Sequence, residues 1–127
     1  MSRQNKNDGK LTREILLKQM LAYDDPRKLP ELRRELGNYG WDSEEELVSL
    51  TREHIISVLQ RYLNGQLTEK EVEEWADALD MRDDIRFGLD EDDDTVLFVS
   101  ELANPISPIT PSLAQKLINE MINRKTS

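Results

Sequence analysis

Leu67-Thr68-Glu69-Lys70-Glu71-Val72-Glu73-Glu74-Trp75-Ala76-Asp77-Ala78-Leu79 decides the fold class. A threonine with a glutamate three residues on is a capping box. The hydroxyl takes an orphan N–H of the first turn, and the carboxylate reaches back to the threonine's own N–H. Leu67, ahead of the cap, is placed to staple onto Val72, and Val72, Trp75, Ala76 and Leu79 recur at helical spacing. Immediately upstream, Asn64-Gly65 supplies a C-cap for a helix whose apolar face is Ile55, Val58, Leu59 and Tyr62. Residues 50–79 therefore predict a helical hairpin. A two-residue Asn-Gly link also suits a β-hairpin, but the flanks lack the alternation that strands require.

The same grammar recurs outward from this hairpin. Leu11-Thr12, Leu50-Thr51 and Ile109-Thr110 each set an aliphatic residue before a threonine, with Leu16, Ile55 and Ala114 at the stapling distance. These pairs predict a helix from Thr12 to Tyr23 with Ile15, Leu16, Leu17, Met20 and Leu21 inward, and another opening at Thr51. They also predict a last helix opening at Thr110-Pro111 with a stripe of Leu113, Leu117, Ile118, Met121 and Ile122. Asp24-Asp25-Pro26 ends the first helix, Pro30 opens a short one through Leu36, and Gly37 to Gly40 forms a turn. Ser43 with Glu46 makes a further capping pattern before Leu47, Val48 and Leu50. It reads either as a short turn ahead of Thr51 or as the start of one long helix from Glu44 to Leu63.

Met81 to Asp94 reads as irregular and exposed. Thr95 to Ala103 reads as a helix, because aspartates precede it where the macrodipole favours negative charge, although Val96 to Val99 also suits a strand. The prediction is an all-α, compact bundle of about five to seven helices. It forms one domain over 11–127 behind a disordered tail at 1–10, which lacks the apolar centre of a secretory signal. Leu11-Thr12-Arg13-Glu14 recurs as Leu50-Thr51-Arg52-Glu53, and shared helix-start grammar accounts for the echo.

The chain carries a net charge of −9. Its distribution matters more than its sum: Gln66 to Glu101 contains 14 acidic and 3 basic residues, leaving 12 acidic and 14 basic elsewhere. Nucleic acid is excluded as a general partner, since phosphate contacts need a positive face. The absence of cysteine rules out disulfides and thiolate chemistry and suits a reducing cytoplasm. No apolar run is long enough to span a membrane. With a single histidine, His54, no His-His metal pair can form. Asp90, Asp92 and Asp94, with Glu101 at the twelfth place, trace most of a calcium loop, but Thr95 stands where the turn demands glycine. Carboxylate pairs such as Glu73 with Asp77 or Asp83 with Asp84 arise by composition in a chain this acidic.

Leu59-Gln60-Arg61-Tyr62-Leu63-Asn64-Gly65-Gln66-Leu67-Thr68-Glu69-Lys70-Glu71-Val72-Glu73-Glu74-Trp75 resembles the hairpin of small bacterial colicin-like immunity proteins. Ser43-Glu44-Glu45-Glu46-Leu47-Val48 is similar to a helix start in immunity proteins against colicin nucleases. The resemblance implies an acidic helical protein that neutralises a basic bacterial toxin by tight binding.

The expectation is thus a cytoplasmic, non-enzymatic protein-binding domain without cofactor or metal, meeting a basic protein partner. Asp83, Asp84, Asp90, Glu91, Asp92, Asp93 and Asp94 would supply the charge and Trp41 the apolar anchor. The alternatives are a calcium-binding or other metal-binding helical protein using residues 90–101, or a housekeeping adaptor or self-associating structural protein.

Overall fold

The computed structural model describes residues 6–39, 45–80, 82–88, 95–103 and 109–126. Among them are six α-helices: α1 (Lys6–Ala22), α2 (Leu29–Leu36), α3 (Arg52–Leu63), α4 (Glu69–Leu79), α5 (Thr95–Ala103) and α6 (Pro111–Thr126). Two short strands, β1 (Val48–Leu50) and β2 (Ile85–Phe87), pair in parallel with Val48 opposite Ile85 and Leu50 opposite Phe87. The all-α class holds. Helices pack mainly as α1 with α2, α3 with α6 and α4 with α5. No described helix is long and apolar enough to cross a membrane.

The hairpin forms as its caps dictate. Thr68 Oγ1 accepts the Glu71 N–H at 3.1 Å and Glu71 Oε1 accepts the Thr68 N–H at 2.8 Å. Gly65 links the two helices at φ +82°, a left-handed conformation that glycine adopts without a Cβ penalty. Thr110 caps α6 by accepting the Leu113 N–H at 3.2 Å, and the flanking Ile109 and Ala114 are both buried.

Trp75 is fully buried and ties α4 to the end of α1. Its indole N–H donates to the Met20 carbonyl at 3.0 Å, and its ring centroid lies 6.1 Å from that of Tyr23. Tyr23 ends α1 in the left-handed region at φ 51°, and its hydroxyl donates to the Glu71 carbonyl at 2.8 Å. Arg61 of α3 then donates to the carbonyls of Tyr23 at 2.6 Å and Ala22 at 3.0 Å. Carbonyls near the C-terminus of α1, which lack helical partners, are thus served by side chains of α3 and α4. Burial, reinforced by Glu71 and Glu74, holds the Tyr23 phenol above its ordinary pKa.

Expectations about the local structure need correction at four places. First, α1 begins at Lys6, so residues 6–10 of the expected tail are helical and Thr12 lies inside the helix instead of capping it. A threonine helix-start pattern is only a local preference, and propagation from a formed helix costs little. The echo between Thr12 and Thr51 is therefore one of sequence and not of structure. Second, Ile15 is 49% exposed, while Leu17, Met20 and Leu21 are buried, and Ile122 of the expected α6 stripe is 44% exposed, while Leu117, Ile118 and Met121 are buried. Apolar residues at 15–17, 20 and 21 exceed what one face holds, and the tertiary contacts of Arg13 and Met20 set the rotation.

Third, Leu47, Val48 and Leu50 do not continue a helix. Val48 and Leu50 are buried in β1, paired with residues 37 positions away, and Thr51 is extended at φ −112°, ψ 169° as the N-cap of α3. A chain that must be extended at the cap cannot be helical through it. Fourth, 81–94 is not uniformly irregular and exposed: Arg82, Asp84 and Ile85 are buried, and β2 runs through Ile85–Phe87. Residues 95–103 do form the expected helix. Ser43 and Met81 lie outside the described residues.

Candidate functional site

Two groups of charged side chains come out of the acidic region, and they differ in kind. The first lies on the outer face of α4. Val72, Trp75, Ala76, Ala78 and Leu79 turn inward, which leaves Glu69, Lys70, Glu73, Glu74 and Asp77 exposed. Glu69, Glu73 and Asp77 stand four apart, so they form one stripe along the helix. Glu69 and Glu71 suit the positive end of the helix dipole. Asp77 and the C-cap Asp80 stand at the negative end, where the last turn holds no basic residue. Like charges at four-residue spacing cost about 0.2–0.5 kcal/mol each. Arg33 of α2 approaches Asp77 at 3.6 Å, an exposed pair of small worth.

The second group is interior. Asp84 is fully buried immediately before β2, and its carboxylate takes two arginines. Arg82 donates through Nε at 2.9 Å and Nη2 at 2.9 Å, and Arg13 of α1 donates through Nε at 2.9 Å with Nη2 at 2.8 Å. The Arg13 guanidinium also lies 5.7 Å from the Tyr39 ring centroid. The Asp84 backbone carbonyl accepts the Leu47 N–H at 2.8 Å, so one residue joins α1, β1 and β2.

Of the residues expected to meet a partner, Asp83 is exposed. Asp84 is not, and its assignment to an accessible surface is corrected: its carboxylate is consumed by Arg13 and Arg82. Asp90, Glu91, Asp92, Asp93, Asp94 and Trp41 lie outside the described residues. The exposed carboxylates Glu69, Glu73, Glu74 and Asp77 were missed as a set. They are legible once the Val72-Trp75-Ala76-Leu79 stripe is subtracted from the helix and the opposite face is read.

The residues present do not favour a calcium loop. α5 starts at Thr95, the sixth place of that loop, and draws the seventh, Val96, into helical backbone where a calcium site needs its carbonyl turned to the ion. Among the described residues no group of three or more His, Cys, Asp or Glu side chains is arranged to hold a metal. His54 is half-buried at the third position of α3 and accepts the Thr51 N–H through Nδ1 at 3.0 Å, so it acts as a cap. Searches against family models, curated proteins and solved structures found no match to this chain.

Proposed function

We propose that the chain is a non-enzymatic protein-binding domain whose acidic surface meets a basic protein partner, in the manner of an immunity protein that neutralises a bacterial toxin. The observation that carries this reading is the outer face of α4. Its carboxylates are exposed, spaced to repel one another, and continued at the helix end where the dipole disfavours them. A solubilising surface needs charge but not at those positions, whereas a complementary partner turns the repulsion into attraction at encounter. The acidic run Asp90 to Asp94 would extend the same field, and Trp41 would serve as the apolar anchor.

The test begins with affinity capture from the native host and continues with the purified captured protein. Stopped-flow association is measured for the wild type, for a variant combining Glu69→Gln, Glu73→Gln, Glu74→Gln and Asp77→Asn, and for one with Asp90, Asp92, Asp93 and Asp94 changed to Asn. At low salt the α4 variant should associate about ten-fold more slowly, and added salt should close the gap by screening. Equal rates for all three proteins at low salt would leave the acidic surface as a solubility device.

A further inference from the structure

His54 is the only histidine in the chain, and it stands in the first turn of α3, just after β1 ends at Leu50. Its Nδ1 accepts the Thr51 backbone N–H at 3.0 Å and lies 3.1 Å from Thr51 Oγ1. A nitrogen that accepts an N–H carries no proton, so the ring is neutral with its hydrogen on Nε2. Thr51 is the N-cap of α3, and the residue before it, Leu50, ends β1. The Leu50 carbonyl in turn accepts the Gly88 N–H at 2.8 Å, the bond that closes the end of the β1–β2 pair. The helix start, the strand end and the cross-strand bond thus fall within residues 50–54 and 88.

Adding a proton to this imidazole ends the bond that Nδ1 accepts from the Thr51 N–H. Nδ1–H would face the Thr51 N–H and be left with Thr51 Oγ1, 3.1 Å away, as its acceptor, and a positive charge would stand in the first turn of a helix, at the positive end of the dipole. We propose that His54 is an acid-sensitive latch, whose protonation releases the first turn of α3 and loosens the β1–β2 pair at Leu50 and Gly88. The first turn of α3 carries Arg52 and Glu53 beside His54. Of these, Glu53 acts on the imidazole and favours its charged form. Burial outweighs it and holds the imidazole below its ordinary value of 6.5.

The sign follows from linkage. A histidine whose pKa is lowered by folding binds its proton more readily in the unfolded chain, so its contribution is intact above 6.5 and is lost as the pH falls through the lower folded value. The window of about pH 7.5 to 5.5 spans the ordinary value of 6.5 and lies above most carboxylate titration.

His54→Gln tests the proposal, because glutamine at the third helical position supplies a capping oxygen that does not titrate. Hydrogen-exchange protection at Gly88 and in the first turn of α3 is measured at both ends of that window, corrected for the intrinsic pH dependence of exchange. Wild-type protection there should fall about five-fold more than in the variant, the equivalent of a lost N-cap. Equal losses in the two proteins, or none in the wild type, would overturn the latch. Nitrogen shifts of the wild-type imidazole give an answer even if the variant fails to fold. They should report the neutral Nε2–H tautomer at the upper pH, and an Nδ1–H tautomer would overturn the proposal.

Discussion

Replacing Asp84 by alanine removes the carboxylate on which Arg13 and Arg82 converge, and the cost should be among the largest available in this chain. Asp84 is fully buried, while the side chains of Arg13 and Arg82 are only 12% and 6% exposed. Each guanidinium approaches the carboxylate through two nitrogens at 2.8–2.9 Å. Truncating one member of a buried ion cluster costs about 3–5 kcal/mol, because the opposite charges stay in a poorly solvated site. Partial exposure of Arg13 places the expectation toward the lower end of that range. The figure measures the penalty of leaving the guanidiniums without their carboxylate and not the worth of the cluster against an apolar core.

Asp83→Ala, one residue away and exposed, should change stability by less than about 0.5 kcal/mol. Asp84→Asn keeps the shape, loses the charge, and should fall between the two. Urea unfolding followed by far-ultraviolet circular dichroism gives all three numbers, provided the denaturant slope is shared. An Asp84→Ala cost below about 1 kcal/mol, or one equal to that of Asp83→Ala, would refute the assignment of Asp84 as the interior junction of α1, β1 and β2.

Two further substitutions test the helix starts and faces. Thr68→Ala should cost roughly 1 kcal/mol by removing the hydroxyl that accepts the Glu71 N–H, and an unchanged unfolding midpoint would mean that the α4 cap is idle. Leu17→Ala should cost about 2–5 kcal/mol, as a fully buried leucine leaves a cavity, whereas Ile15→Ala on the exposed side of the same helix should cost less than about 1 kcal/mol. The reverse order in thermal or urea unfolding would restore the inward placement of Ile15.

Where a signal is local, the sequence was sufficient. The capping box at Thr68 and Glu71, the Asn64-Gly65 turn, and Thr110-Pro111 at the start of α6 each depend on residues within one helical turn, and each appears where the spacing places it. The inward position of Trp75 follows from the same periodicity. Val48 and Leu50 behaved otherwise, since a short apolar run near a capping pattern reads as helix until a partner strand is known. That partner, Ile85–Phe87, is remote in the chain, and no local rule announces a pairing across such a distance.

The two adjacent aspartates show the limit most plainly. Asp83 and Asp84 are chemically identical and share one acidic stretch, yet one is exposed and the other is enclosed by Arg13 and Arg82. Charge count and spacing established an acidic, helical chain with defined helix starts, because those follow from composition and from hydrogen bonds between near neighbours. Which carboxylates remain on the surface was decided only when α1 brought Arg13 to the foot of β2. Burial of a charge depends on a counter-charge supplied from elsewhere in the chain, and the tertiary structure alone determines that meeting.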